Sequence, residues 1–204
     1  MPVVLPRVYP ITPESLRGQA LFAWIEALLS GSCRFFQYRR KSGGDAEKLQ
    51  ELKIVLALAR ERGARVIVDD RPDLCLLAGA DGVHLGQEDL PVDEVRRLLP
   101  AGSIIGLSTH NLDQIEEAEG LPADYFALGP VFATASKENP SPLVPDAVQE
   151  EALKRSAKPV VAIGGISPAG VRELFARGFA SVAVISFTER EPATAFEALM
   201  AEAP

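Results

Sequence analysis

Short apolar runs alternate with longer amphipathic segments along the whole chain, and this alternation restricts the possible folds more than any other feature. The apolar runs have the length of buried strands, and the longer segments have apolar residues at helical spacing. We predict strands at residues 8–12, 33–40, 64–69, 82–86, 103–108, 125–129, 159–163 and 181–185. We predict helices at residues 14–29, 45–62, 74–77, 92–99, 112–119, 146–156, 168–177 and 193–201.

Strict alternation of strands and helices indicates parallel strands joined by crossover helices. Eight such units close naturally into a barrel, so we predict an α/β protein with a single (β/α)8 TIM barrel domain over residues 1–204. An open doubly wound sheet is the structural alternative, and it would require a glycine-rich turn after the first strand. Residues 9–13, Tyr-Pro-Ile-Thr-Pro, do not form such a turn.

Composition restricts the partners of the chain. Its 204 residues are 47% hydrophobic, which is enough for one core. A net charge of −7 argues against nucleic acid or an anionic membrane surface as the main partner. Any anionic substrate must therefore be met by a local cluster of basic side chains.

The two cysteines, Cys33 and Cys75, lie in apolar surroundings and lack the spacing of a zinc site or redox pair. They are typical of a protein from a reducing cytoplasm. The first residues lack the charged and apolar regions of a signal peptide, and no apolar run has the length of a membrane span. We therefore expect a cytoplasmic protein.

In a barrel of this kind, function resides at the carboxyl ends of the strands. The second strand ends in Gln37-Tyr38-Arg39-Arg40-Lys41. Side chains alternate along a strand, so Gln37, Arg39 and Lys41 share one face and point into the barrel. Buried polar groups need partners, and an anion with several oxygens would provide them. The alternative is a basic run on the surface.

Carboxylates follow the third and fourth strands. Asp69 and Asp70 end one strand, and Asp89 follows the next one along the chain. Two carboxylates in one cleft imply a shared cation, and oxygen ligands suit Mg²⁺, so Asp70 and Asp89 are the predicted metal ligands. The alternative is a pair of solvated loop acids. His84 lies inside the fourth strand and is either a ligand-binding residue or a hydrogen-bonded core histidine.

The fifth strand ends in Ser108-Thr109-His110, without the glycines of a nucleophile elbow. We therefore expect the Ser108 hydroxyl to bind a ligand rather than to act as a nucleophile. Helix capping is the alternative role for Thr109 or Asn111.

Beyond the sixth strand, Thr134, Ser136 and Lys137 form a loop suited to anions, or simply a polar surface loop. Gly164-Gly165 follows the seventh strand and Ile185-Ser186 the eighth, where such barrels commonly bind a monophosphate through backbone N–H groups. Two anion sites in one barrel mouth suggest a transfer between two phosphorylated substrates.

With these motifs the chain resembles the thiamine-phosphate synthase (thiamine-phosphate pyrophosphorylase) family and its TenI relatives, over nearly its whole length. The most specific segments are 37–41, 69–71, 80–91 (Ala-Asp-Gly-Val-His-Leu-Gly-Gln-Glu-Asp-Leu-Pro), 129–137 and 161–166. The family joins hydroxymethylpyrimidine diphosphate to thiazole phosphate, releasing pyrophosphate. The resemblance implies Mg²⁺ as cofactor, and it is the only basis for expecting a homodimer.

The resemblance also implies roles for individual residues. Asp70 and Asp89 would hold Mg²⁺, and Ser108, Arg39 and Lys137 would be catalytic. Substrate-binding residues would be Gln37, Arg39, Lys41, Asp69, His84, Ser108, His110, Thr134, Ser136, Lys137, Gly165, Ile185 and Ser186.

The chain departs from the family pattern in places. Asp69 stands where the family usually has Asn, and Pro13 where an acidic residue is common. One alternative is a TenI-like thiazole phosphate tautomerase, with His110 as the acid and base. Another is a ligand-binding or regulatory barrel without catalysis.

Overall fold

Strands and helices alternate through the computed structural model, which describes residues 3–134 and 142–204. The strands are β1 Val8–Pro10, β2 Phe35–Tyr38, β3 Arg65–Asp69, β4 Gly82–Leu85, β5 Ile104–Thr109, β6 Tyr125–Leu128, β7 Val160–Ile163 and β8 Ser181–Val184. The helices are α1 Gly18–Ser30, α2 Asp45–Glu61, α3 Pro72–Ala78, α4 Val92–Leu98, α5 Leu112–Glu119, α6 Asp146–Arg155, α7 Pro168–Arg177 and α8 Pro192–Glu202. A 3-10 helix, Ser186–Thr188, follows β8.

All strand pairs are parallel, and the order is β1-β8-β7-β6-β5-β4-β3-β2. The sheet closes through a bridge between Ile11 and Gln37, and the Thr12 amide donates to the Gln37 carbonyl at 2.9 Å. The predicted barrel is therefore confirmed. Within the described ranges, no helix is long and apolar enough to cross a membrane.

Some element bounds differ from the prediction. The first helix begins at Gly18 rather than at residue 14, because residues 13–16 form a turn closed by the Leu16 amide and the Pro13 carbonyl. The third helix begins two residues early, at Pro72, since proline fits the first helical turn. It ends at Ala78, and the following Gly79 has a φ of 70°, the left-handed conformation common after helices.

Apolar side chains form two layers, one on each face of the sheet. The outer layer lies between strands and helices and includes Phe36, Tyr38, Val83 and Leu107. The inner layer fills the barrel and consists of Tyr9, Ile11, Phe35, Ile67, Ile104, Tyr125, Ala127, Val161 and Ala183. The alternation predicted for β2 is thus confirmed, because Phe36 and Tyr38 face outward while Gln37 lies inside.

One row across the barrel interior combines polar rings with a glycine. In the strand register, His84 of β4 lies beside Gly106 of β5, which lies beside Tyr125 of β6. A Cβ atom at position 106 would lie 2.2 Å from Tyr125 Cζ and 2.4 Å from His84 Nδ1. Only glycine therefore allows the two rings to meet across β5.

We predict that Gly106→Ala lowers the free energy of unfolding by about 1–3 kcal/mol, because the extra methyl group overpacks the barrel interior. Gly120→Ala is the control, since its backbone has a φ of −76° and nothing lies within 4 Å of an added Cβ. The control should change stability by less than about 1 kcal/mol. Urea unfolding of both variants would measure this, and equal effects would contradict the packing argument.

Candidate active site

Two basic side chains after β2 face two carboxylates after β3. Lys41 Nζ lies 2.7 Å from Asp69 Oδ2 and also pairs with Asp70 Oδ2. Arg39 Nε lies 3.7 Å from Asp69 Oδ2. This oxygen is buried and makes no well-aligned hydrogen bond within the described residues. The Lys41 ammonium thus lies between two carboxylates, which shows that one cation can contact both.

The segment carrying these basic groups is held by the end of β1. The Thr12 hydroxyl accepts from the Arg39 amide at 2.8 Å and donates to the Arg39 carbonyl at 3.2 Å. The Glu14 carboxylate accepts from the amides of Lys41 (3.0 Å) and Ser42 (3.2 Å). It also lies 3.4 Å from an Arg39 guanidinium nitrogen. Thr12 and Glu14 therefore fix the backbone that presents Arg39 and Lys41.

The surroundings of the Glu14 carboxyl lower its pKa and keep it ionised. Burial alone would raise its pKa, but hydrogen bonds from the Lys41 and Ser42 amides and the charge of Arg17 lower the pKa by more. The pKa therefore lies below the usual glutamate value, and the carboxylate holds this loop at neutral pH.

The two predicted metal ligands, Asp70 and Asp89, each form a hydrogen bond with the backbone of β4 or of the loop that follows it. Asp70 has a φ of 56°, a conformation that non-glycine residues rarely adopt and that clusters at functional sites. Its amide donates to the His84 carbonyl at 2.8 Å, which ties the end of β3 to β4. Asp89 Oδ2 accepts from the Gly86 amide at 2.6 Å, which orders the loop after β4.

The donor set fits a hard cation. Asp69, Asp70 and Asp89 offer carboxylate oxygens, the ligands that Mg²⁺ prefers. In residues 3–134 and 142–204 there is no cluster of three or more histidine, cysteine or acidic side chains arranged to hold a metal. Mg²⁺ commonly uses one or two carboxylates and completes its shell with substrate phosphates and water, so it does not require such a cluster.

A row of hydrogen bonds runs through the barrel interior to Ser108. Gln37 Nε2 lies 3.2 Å from the Tyr9 hydroxyl, which lies 3.0 Å from the Tyr125 hydroxyl. His84 Nδ1 is 2.9 Å from the Tyr125 hydroxyl, and His84 Nε2 is 2.9 Å from Ser108 Oγ. His84 is thus a buried, hydrogen-bonded histidine that also contacts a residue of the candidate site.

On the other side of the mouth, a pocket opens between β5 and β8. It is lined by Ser108, His110, Ala127, Gly129, Pro130, Thr134, Ile163, Gly164, Gly165, Ile166, Ala183, Val184, Ile185 and Ser186. Gly164 and Gly165 have φ values of 103° and 65°, and a Cβ at Gly165 would lie 2.3 Å from the Ala133 carbonyl oxygen. Glycine is therefore required here, and the bare backbone forms one wall of the pocket.

His110 contributes to this pocket in a defined tautomer. Its Nδ1 lies 2.6 Å from the Gly129 carbonyl oxygen, which can only accept, so Nδ1 carries the proton. In a neutral imidazole, the other nitrogen, Nε2, is then an acceptor. Asn111 caps α5 through its side-chain oxygen, which accepts from the Gln114 amide at 2.9 Å. Thr109 instead donates to the Ala127 carbonyl of β6 at 3.1 Å.

The predicted site residues fall on two neighbouring sides of one mouth. Gln37, Arg39, Lys41, Asp69, Asp70, His84 and Asp89 belong to β2–β4 and the loops that follow. Ser108, His110, Thr134, Gly165, Ile185 and Ser186 line the pocket. Ser136 and Lys137 lie outside the described residues, so their roles stay predictions.

Sequence reasoning missed four polar residues of this region. Thr12 and Glu14, which follow the neighbouring strand β1, bind residues 39–42, and Tyr9 and Tyr125 carry the interior hydrogen bonds. A tyrosine in an apolar strand is a signal for such a bond, because a buried hydroxyl needs a partner. Glu14 supplies a carboxylate one position after Pro13.

Fold and site together define a class of protein: a (β/α)8 barrel that presents basic side chains, carboxylates and a glycine-walled pocket at the carboxyl ends of its strands. The chain belongs to the thiamine monophosphate synthase family, whose family model matches residues 8–187.

Individual relatives agree with this assignment. The chain is 40% identical to a thiamine-phosphate synthase of Caldicellulosiruptor bescii over 180 residues, covering 88% of this chain and 82% of the relative. It is 47% identical over 161 residues to one of Parasynechococcus marenigrum, covering 79% of this chain and 46% of that longer protein. It superimposes on a thiamine phosphate pyrophosphorylase of Pyrococcus furiosus with a TM-score of 0.86 and 32% identity, covering 97% and 95% of the two chains.

We predict that Glu14→Gln destabilises the protein at neutral pH and that this effect disappears in acid. A carboxyl whose pKa is lowered by folding stabilises the folded state above its unfolded pKa, about 4.3, and loses that contribution as the pH falls through the folded pKa. Urea unfolding of both proteins across this range would measure the difference. Glu26→Gln, at an exposed position of α1, is the control. A pH-independent difference would refute the electrostatic explanation.

Proposed function

We propose that this chain is a thiamine-phosphate synthase, which joins hydroxymethylpyrimidine diphosphate to thiazole phosphate and releases pyrophosphate. Family membership over residues 8–187 and relatives of that name support the proposal. Its partners are then small phosphorylated molecules. The homodimer expected from the family resemblance stays a prediction.

One observation carries the proposal: the pockets at the two proposed anion sites have lining residues in common. Ile185 and Ser186 line the glycine-walled pocket and also a second pocket, which contains Arg39 and Glu14. Ser108 belongs to the first pocket and is hydrogen-bonded to His84 of β4. Two substrates bound at these sites would therefore lie next to each other, as a transfer between them requires.

The β2–β4 side suits the diphosphate substrate. Arg39 and Lys41 offer donors that match phosphate oxygens, and in the structure they pair with Asp69 and Asp70. We infer that binding replaces these pairs: the diphosphate would bind the basic groups, and the Asp70 carboxylate would then be available to hold Mg²⁺. Lys137, which the resemblance assigns to the same role, would add a further positive charge.

Asp70 and Asp89 would hold Mg²⁺, which supplies positive charge to the departing pyrophosphate. Asp69 precedes Asp70 in the chain, and its side chain is 10% exposed. It would act mainly on Arg39 and Lys41, since both basic groups lie within 4 Å of its Oδ2.

The pocket between β5 and β8 suits the thiazole phosphate. Backbone N–H groups at Gly165, Ile185 and Ser186 would bind its monophosphate, in the position where such barrels commonly bind one. The resemblance adds Thr134 and Ser136 to this side. His110 Nε2, as an acceptor, would face the thiazole rather than the phosphate.

The proposed reaction needs orientation and charge more than a protein nucleophile. The bond between the pyrimidine methylene carbon and the diphosphate oxygen breaks, and its electron pair leaves with pyrophosphate. The thiazole nitrogen lone pair then forms the new C–N bond. Arg39, Lys41 and Lys137 would stabilise the leaving group, and Ser108 would bind beside the reacting carbon.

We predict Mg²⁺-dependent formation of thiamine phosphate from the two substrates. Asp70→Asn and Asp89→Asn should each lower kcat/KM by about 100-fold and raise the Mg²⁺ concentration needed, because each removes a charged ligand. Asp93→Asn, at an exposed position of α4, should leave both unchanged. Product and pyrophosphate would be measured together.

Two outcomes would contradict this proposal. If the thiazole phosphate substrate loses the signal of its starting tautomer but no thiamine phosphate forms, the result would favour a TenI-like tautomerase with His110 as the acid and base. Metal-dependent binding of the pyrimidine diphosphate without turnover would favour a ligand-binding barrel.

We also predict that Asp69→Asn lowers KM for the pyrimidine diphosphate several-fold. Removing this charge leaves Arg39 and Lys41 with one competing anion fewer, so both bind the diphosphate more readily. Steady-state kinetics at saturating thiazole phosphate would measure the change, with Asp93→Asn as the control. A higher KM would show that Asp69 positions the basic groups instead of competing for them.

A further inference from the structure

Each hydrogen bond in the interior row from Gln37 to Ser108 has one donor and one acceptor. The chemistry of the side chains determines which is which. Tyr9 and Tyr125 are fully buried, and burial, the largest cause, raises the pKa of each phenol well above its usual value. Both tyrosines are therefore neutral throughout the range in which proteins are studied. Each hydroxyl then has a single hydrogen to donate and otherwise accepts.

The direction begins at Gln37, whose side-chain NH₂ group can only donate. Because Gln37 Nε2 donates to the Tyr9 oxygen, the Tyr9 hydrogen is left for Tyr125. The Tyr125 hydrogen is then left for His84 Nδ1, which must accept. A neutral imidazole that accepts at Nδ1 carries its proton at Nε2.

The last bond of the row is therefore a donation from His84 Nε2–H to Ser108 Oγ. The Ser108 hydroxyl hydrogen must then point elsewhere. Ser108 is half-buried and lines the pocket, and within the described residues the hydroxyl has no second hydrogen-bond partner. The hydrogen is thus available to a ligand.

We propose that Gln37, Tyr9, Tyr125 and His84 form a one-way relay that makes Ser108 a hydrogen-bond donor to the ligand. Tyr9 and Tyr125 are positioning residues, which act through His84. The ligand atom at Ser108 would be an acceptor, such as an anionic oxygen or a ring nitrogen, and not an amino group. The direction of the relay is independent of the proposed function, whereas its effect on turnover rests on it.

The chain contains an internal reference for this proposal. It has two histidines, and the structure assigns them opposite tautomers: His84 carries its proton at Nε2, and His110 at Nδ1. Their hydrogen-bond partners explain the difference, because His110 faces a carbonyl oxygen through Nδ1 while His84 faces a hydroxyl donor.

The test is a ¹⁵N NMR spectrum of the full chain with labelled histidine, in which the shifts of the two ring nitrogens identify the tautomer. His110→Gln assigns the signals. We expect His84 as the Nε2–H tautomer at neutral pH. A His84 ring protonated at Nδ1, or at both nitrogens, would overturn the proposal, because either state reverses the bond to Tyr125.

Three phenylalanine substitutions separate the relay from simple packing. Tyr125→Phe removes the donor to Nδ1 and should shift the His84 nitrogen signals towards a mixture of tautomers. Tyr9→Phe should have a smaller effect, since Tyr125 can still donate. Tyr38→Phe is the control: it deletes a buried hydroxyl bonded to Glu51 on the outer face of β2 and should leave the His84 signals unchanged. Equal shifts in all three variants would refute the relay.

Kinetics then connect the relay to turnover. Tyr125→Phe should lower kcat/KM about tenfold, as expected for losing one well-oriented hydrogen bond to the substrate, and Tyr38→Phe should not. Failure of the relay and failure of the proposed function are distinguishable. Product formation with a Nδ1–H tautomer overturns the relay alone, whereas the Nε2–H tautomer without product overturns the function alone.

Discussion

Closure of the barrel between β1 and β2 is the constraint on which the site depends. The two strands meet through the Ile11–Gln37 bridge, and the chain on both sides then leaves the sheet. Side chains add to this backbone contact, because Thr12 and Glu14 form hydrogen bonds with the backbone of residues 39–42. The segment of residues 39–42, which carries Arg39 and Lys41, is therefore positioned next to the contacts that close the barrel.

The charged side chains at the mouth are paired with one another. In the proposed function, an anionic substrate would replace the carboxylates as the partner of the basic groups. Lys41 pairs with Asp69 and Asp70 and is 46% exposed, so these ion pairs lie close to water and cost little to break. A chain with a net charge of −7 can bind an anion only where its acids are locally compensated. The pairs of Lys41 with Asp69 and Asp70 provide such local compensation.

The sequence predicted the barrel because period and alternation are local properties. Strand ends were predictable for the same reason, and Gln37 was placed inside from the period-two pattern alone. Contacts between distant strands were not predictable: Tyr9 and Tyr125 are 116 residues apart, and only the strand order brings their hydroxyls together. Glu14 was missed because the predicted helix extended over a turn.

Buried polar groups destabilise a core unless each is paired, and an apolar interior of the same volume is often more stable. The row through Tyr125 and His84 is paired at its buried end, and Gly106 provides the space for both rings. It stops at Ser108, where the barrel opens into the pocket. In the proposed function, a ligand that accepts from Ser108 would complete the row, and binding at the mouth and packing of the interior would then be parts of one hydrogen-bond network.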